Sequence, residues 1–337
     1  TRSSLGPLTH QTDGIGKHIV LWYSTVIAVG LVALVWSADR FVDGASAIAK
    51  RAGLTPMLIG LTIVSVGTSA PEILISIMSA LADSGELAVG NALGSNIANV
   101  GLVLGVTLLL SSIMLGRDTT WIDLPLLMVV VLVTWFLLSD LELSRSNSFV
   151  LLGMLALFFF RVAQHARQSN DDIEAREIPT LTLPLAWLSF LGGLALLIAS
   201  SRILVWAASH IATELGVSEL VIGLTIVAVG TSLPELAASV MSALKGHADM
   251  AVGAIVGSNM FNILLVLAIP GLWGSLSLQA AVVSRDMVAV FLTTLVLALA
   301  ALWRWNGASG SSRLGRGTGL LLLSLYIAYY GWLFLVP

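Results

Sequence analysis

Apolar residues in this chain run continuously over long distances rather than alternating. Ten such runs fall at 19–38, 54–82, 88–113, 121–139, 148–164, 184–203, 217–244, 249–273, 286–303 and 318–336. A helix needs about 20 apolar residues to cross a bilayer core, and uninterrupted runs are unlike the alternating strands of a membrane barrel. The pattern therefore predicts an all-α integral membrane protein of ten transmembrane helices. Helices 2 and 7 break the pattern near their centres. There the residues turn from aliphatic to "GTSAPE" (67–72) and "GTSLPE" (230–235), placing a helix breaker and an acid inside an apolar run.

These two interruptions belong to a repeat. Residues 60–72 read "GLTIVSVGTSAPE" and residues 223–235 read "GLTIVAVGTSLPE", at an offset of 163. At the same offset "GNALGSNIAN" (90–99) matches "GAIVGSNMFN" (253–262), and Gly53 matches Gly216. Each half then holds five helices, and an odd number of crossings makes the second half enter from the opposite side. The expected organisation is an external tail (1–18), a first five-helix repeat (19–164), a linker loop (165–183) and a second, inverted repeat (184–337). Inverted repeats with interrupted helices at matching positions point to the binding site of a secondary transporter.

Composition agrees. Hydrophobic residues make up 57% of the 337 and charged residues 10%, with a mean hydropathy of +0.96. Soluble domains carry about 25% charged residues, so a soluble enzyme or a nucleic-acid partner is not expected. Cysteine is absent, which excludes disulfides. The first 18 residues lack the basic and apolar regions of a signal peptide. With ten spans, Arg2, Lys17, Arg145, Arg202 and Arg285 share one side, and the other eleven of the sixteen Lys and Arg residues share the opposite side. Positive charge concentrates inside, so both termini should lie outside and the 165–183 loop in the cytoplasm. "DDIE" within that loop lacks the ligand spacing and Gly of a calcium loop, and reads as part of a solvated hinge.

The chemistry centres on the interruptions. Ser, Pro and Glu in "SAPE" fit a helix start, with Ser as N-cap and Glu closing a capping box. That explains how a helix breaks, but not why it breaks twice at mid-membrane, where unsatisfied backbone is costly unless it lines a wet cavity or is buried in protein. The other acids, including Asp39, Asp43, Asp123 and Asp286, fall near span ends, leaving Glu72 and Glu235 deep. No Lys, Arg or His is placed to neutralise them, so the counter-charge must be a cation from solution. Thr68 and Ser69 lie one turn before Glu72, and Thr231 and Ser232 stand likewise to Glu235. The breaks are expected to free backbone carbonyls around Ser65 and Ala228. Ser95 and Asn99, and Ser258 and Asn262, are i,i+4 pairs on the following helices. This all-oxygen set suits hard ions such as Ca²⁺ and Na⁺.

Other residues read as structural. Gly90 and Gly94, and Gly253 and Gly257, are small-xxx-small pairs for close helix packing. Asn96 and Asn259, off the Ser/Asn face, are expected to hydrogen-bond backbone or a neighbouring helix. Asp39 and Asp43 read as a solvated pair at the end of the first span. An ion channel is disfavoured because one chain already supplies its own pseudo-symmetric pair, whereas channels assemble several subunits around a pore. An intramembrane enzyme would need a base near the Ser of "GTSxPE", and no His lies within reach.

With these paired motifs in view, the chain resembles the calcium:cation antiporter superfamily, and within it the prokaryotic sodium/calcium exchangers. The resemblance covers both motif repeats and the ten-helix layout. It implies an alternating-access antiporter of a prokaryotic plasma membrane, exchanging Ca²⁺ for Na⁺, with no cofactor beyond the transported ions and function as a monomer in lipid. It assigns Glu72 and Glu235 as the ion-binding acids, with Thr68, Ser69, Thr231, Ser232, Ser95, Asn99, Ser258 and Asn262 as ligands around them. Some members carry Asp at the position of Asn262, including potassium-dependent ones, so Asn262 leans away from potassium dependence. Two carboxylates balance one Ca²⁺ or two Na⁺, which makes the ions compete. Ca²⁺/H⁺ exchange, with protons neutralising the same glutamates, is the alternative.

Overall fold

The computed structural model describes residues 9–82, 84–168, 181–217, 226 and 228–335. Among the described residues the fold is carried by the helices α1 (Thr9–Ala52), α2 (Pro56–Thr68), α3 (Ala70–Leu81), α4 (Gly85–Leu110), α5 (Thr119–Leu137), α6 (Arg145–Gln168), α7 (Leu183–Glu214), α8 (Leu233–Leu244), α9 (Ala248–Trp273), α10 (Val282–Trp303) and α11 (Arg316–Leu335). A short helical turn, Ala228–Thr231, precedes α8. Among the described residues seven helices are long and apolar enough to cross a membrane, and α2 with α3, bent by 46°, make an eighth. The expected run 217–244 falls partly outside the described residues. The run 318–336 falls on α11 up to Leu335. The 165–183 linker lies mostly outside them as well.

The helices run longer than the apolar runs suggested. α1 continues through Asp39, Arg40 and Asp43 to Ala52, because charged side chains at a helix end can reach water without unwinding it. Asp39 and Asp43 are not simply solvated. Lys245, just after α8, places its Nζ 2.7 Å from Asp39 Oδ1 and also pairs with Asp43. Gly53 and Gly216, matched in sequence, both turn the chain with positive φ, 66° and 78°, a conformation glycine adopts without steric cost.

Two groups of helices emerge from the packing. α1 and α7 lie against each other at backbone distance: a Cβ on Gly193 would sit 2.6 Å from the Phe41 nitrogen. The Phe41 and Phe190 rings stack beside this crossing at 5.0 Å. The larger core is built by α4, α5, α6, α9 and α10 around residues such as Leu93, Ile97, Leu127, Phe261 and Leu264. α9 is the most enclosed of these seven spans, with 94% of an 18-residue apolar stretch buried. Short strands tie the helix ends together. β1 (Ile113–Leu115), β5 (Ser311–Leu314) and β4 (Trp305–Asn306) form one antiparallel sheet, and β2 (Glu142–Leu143) with β3 (Leu276–Ser277) another.

Among the described residues, complete π-helical turns interrupt the helices at Gly60–Val64, Asn99–Leu104, Thr119–Asp123, Asn262–Val266 and Val282–Asp286. The second and fourth begin 163 residues apart, as do the third and fifth. π turns widen a helix locally and gather at functional positions.

Candidate cation site

The bend between α2 and α3 follows from Pro71, which has no N–H for the Gly67 carbonyl four residues back. The ladder survives one residue further than expected. The Ser65 carbonyl accepts the Ser69 N–H at 2.9 Å and the Thr68 hydroxyl at 3.4 Å, so it is not freed by the break. At the second break, between Thr231 and Leu233, the Ser232 N–H turns to the Val229 carbonyl, 3.1 Å away. Pro234 likewise relieves the Gly230 carbonyl, which accepts the Ser201 hydroxyl of α7 at 2.8 Å. Ala228 opens the helical turn that leads into this break.

The capping boxes do not form. Ser69 and Ser232 stand at the N-cap positions of α3 and α8, yet neither side chain caps its helix. Both hydroxyls are buried without a hydrogen-bond partner. The same holds for Glu72 Oε2, both carboxylate oxygens of Glu235, Asn99 Oδ1 and both side-chain polar atoms of Asn262. Glu72 is 1% exposed and Glu235 4%. Buried polar groups are normally satisfied, and an ionised carboxylate left without a partner is far costlier than a neutral group. These open oxygens come from both halves of the chain and include both glutamates.

Contacts across the two halves bring the predicted residues together. Thr68 Oγ1 lies 3.5 Å from Ser258 Oγ. Asn99 Nδ2 donates to Asn259 Oδ1 at 3.1 Å. Asn96 Nδ2 donates to the Ala92 carbonyl at 2.8 Å, the backbone role expected of it. Ser95 and Asn99, and Ser258 and Asn262, are all buried, and each Asn begins a π turn. Because the widening starts at the Asn, the i,i+4 relation with the Ser one turn earlier stays α-helical. Thr231 adjoins a cavity of about 360 Å³ bounded by Pro71, Ser201, Arg202, Trp206 and Pro234.

Not every buried acid is open in this way. Asp123, 4% exposed, pairs with Arg161 at 2.8 Å, and Asp286, 9% exposed, pairs with Arg285 at the same distance. Lying at span ends does not leave these two in water, but each has its arginine. Among the described residues no group of three or more His, Cys, Asp or Glu comes together, so any cation here relies on two carboxylates and neutral oxygens.

Three polar residues were overlooked in sequence. Ser76 and Ser239 lie one turn after the glutamates, both buried; Ser76 donates to the Val266 carbonyl at 2.7 Å, while the Ser239 hydroxyl has no partner. Their i+4 spacing from each Glu was the available signal. Asn91 reaches the Glu72 carbonyl at 3.4 Å, and its repeat counterpart is Ala254, so the repeat could not reveal it.

The glycines split between the halves. A Cβ on Gly253 would meet the Met57 carbonyl at 2.5 Å, and one on Gly257 the Leu61 carbonyl at 2.6 Å, so α9 and α2 touch backbone to backbone. No described atom lies within 4 Å of the Cβ positions of Gly90 and Gly94.

Against this geometry, the family model described as "Sodium/calcium exchanger protein" matches residues 22–163 and 185–335. The chain belongs to the sodium/calcium exchanger family. CaxA of Alkalimonas amylolytica, named an antiporter, is 43% identical over 316 residues, covering 91% of this chain and 97% of its own. Inner membrane protein YrbG of Escherichia coli is 38% identical over 325 residues, covering 94% and 98%. A solved structure of the sodium-calcium exchanger NCX_Mj, soaked with zero Na⁺ and Ca²⁺, superposes with a TM-score of 0.79 at 30% identity, covering 93% of this chain and 99% of that one. The chain is thus a membrane protein of a transporter family, and no catalytic activity is indicated.

Proposed function

We propose that the protein exchanges Ca²⁺ for Na⁺ by alternating access, with both ions using the site between the two breaks. The observation that carries this reading is the set of buried, partnerless oxygens contributed by both halves around Glu72 and Glu235. Thr68, Ser69, Ser95, Asn99, Thr231, Ser232, Ser258 and Asn262 supply the neutral ligands, with carbonyls at the breaks completing the shell. Two carboxylates match the charge of one Ca²⁺ or two Na⁺. Leaving them empty strands two buried charges, which discourages a return without cargo and enforces exchange.

The recurrence of helix breaks, π turns and positive-φ glycines at one offset supports two inverted five-helix repeats, 19–164 and 184–337. Two buried carboxylates could also be neutralised by protons, which keeps Ca²⁺/H⁺ exchange as the second reading. Ca²⁺ uptake into proteoliposomes of the purified chain separates them. Uptake should follow an outward-directed Na⁺ gradient at fixed pH and be indifferent to K⁺. Uptake driven by a pH gradient and unaffected by Na⁺ would assign the coupling to protons.

The charge distribution supports a plasma-membrane orientation with both termini outside. The chain has no cysteine, so Ser169→Cys introduces one label site in the linker. A membrane-impermeant maleimide should reach it in inverted vesicles only, and labelling in intact cells would reverse the orientation.

A further inference from the structure

The second half carries a feature that ion exchange does not use. Between α10 and α11 the chain makes a hairpin of β4 and β5, longer than the corresponding connection between α5 and α6. With β1 it walls a cavity of about 680 Å³ at one end of the helices. Arg304, Arg313 and Arg316 line it, together with the hydroxyl-bearing Ser309, Ser311 and Thr318. No acid is among its lining residues, although it gathers three guanidinium groups.

Two of the arginines are held in place. Arg316 Nε donates to the Leu109 carbonyl at 3.1 Å, and one terminal nitrogen of Arg313 to Ser112 Oγ at 3.2 Å. Each guanidinium has five donors, so these tethers fix direction and leave donors for a ligand. Arg316 has a counterpart in the other half, where Arg145, also opening a helix, donates to the Trp273 carbonyl at 3.2 Å. Arg304 and Arg313 belong to the longer hairpin, so they are additions to the shared fold. The neighbourhood is interfacial: Trp303 is 88% exposed, and Trp121 packs edge-on against Trp305. Exposed tryptophans mark the level of lipid headgroups.

We infer that this cavity binds a phosphate group, that of an anionic phospholipid headgroup. Arginine's planar fork matches phosphate oxygens, and basic pockets beside membrane helices take anionic headgroups. Inorganic phosphate offers the same chemistry without the acyl chains. Assigning the site to the cytoplasmic leaflet rests on the orientation proposed above, whereas binding itself does not. It also does not depend on which ion drives exchange.

The test is native mass spectrometry of the purified full chain titrated with phosphatidylglycerol, phosphatidylcholine of the same acyl chains, or inorganic phosphate. Phosphatidylglycerol should be retained at least tenfold more tightly than phosphatidylcholine. Arg304→Gln with Arg313→Gln, which leaves the Arg316 tether intact, should erase that preference while preserving Ca²⁺ uptake in phosphatidylcholine vesicles. Competition by millimolar phosphate would support the same chemistry and assign it a soluble source. Equal retention of both lipids with no effect of phosphate, or a double variant that keeps the wild-type preference, would overturn the inference.

Discussion

Glu72→Gln and Glu235→Gln should each abolish Ca²⁺ uptake while leaving the chain folded and inserted. Glutamine keeps the size and most hydrogen bonding of glutamate but removes its charge. Both carboxylates are buried, and among the described residues neither has a basic partner. In ion-free buffer the wild type holds two such groups, so either variant should unfold at a higher temperature than the wild type. Added Ca²⁺ reverses the order. A ligand that binds only the folded state stabilises it by about 2.7 kcal/mol at a hundred times its dissociation constant. The wild type should show that gain and the variants little of it.

A helix-capping role makes the opposite forecast, because glutamine also serves at the third position of a capping box. Here the box is open on the serine side, since Ser69 and Ser232 cap nothing. Near-normal Ca²⁺ flux in both variants would sink the ion-site reading. A crossed melting pattern, with the variants ahead without Ca²⁺ and behind with it, is what a charge-for-cation site demands.

How much of this was legible beforehand depended on the kind of signal. Glu72 and Glu235 were visible because an ionisable group inside a long apolar run has few structural explanations. Ser95 with Asn99 and Ser258 with Asn262 were visible through helical spacing, and all four are buried. The Ser65 carbonyl was misjudged because proline removes the bond four residues before itself, which falls on Gly67. The Lys245 pairing with Asp39 and Asp43 joins charges about two hundred residues apart in sequence, and local pattern carries no trace of it. The π turns were equally hidden. Residues 99–104 read as plain aliphatic helix, and only the surrounding packing selects the wider turn.

Gly257→Ala should damage both stability and ion binding through one added methyl group. Its Cβ would lie 2.6 Å from the Leu61 carbonyl and 2.6 Å from Ser65 Oγ. The hydroxyl can rotate aside, but the carbonyl belongs to α2 and cannot move without the helix. α2 and α9 must therefore separate by several tenths of an ångström. Overpacking of this kind costs about 1–3 kcal/mol. Ser258 is the next residue and already sits at the limit of contact with Thr68, at 3.5 Å. Pushing α9 away opens the site between them, so the stabilisation by Ca²⁺ should shrink along with the melting temperature. Gly153→Ala is the control: in α6 no described atom outside its own helix backbone lies within 4 Å of its Cβ position. Alanine there should be neutral or stabilising by up to about 1 kcal/mol, from helix propensity alone. Both variants add the same methyl group to a membrane helix, so a difference between them isolates the contact. A Gly257→Ala protein that melts like the wild type and keeps its full Ca²⁺ shift would show that α2 and α9 are not in backbone contact. The two halves of the site would then have to be held together by something other than this crossing.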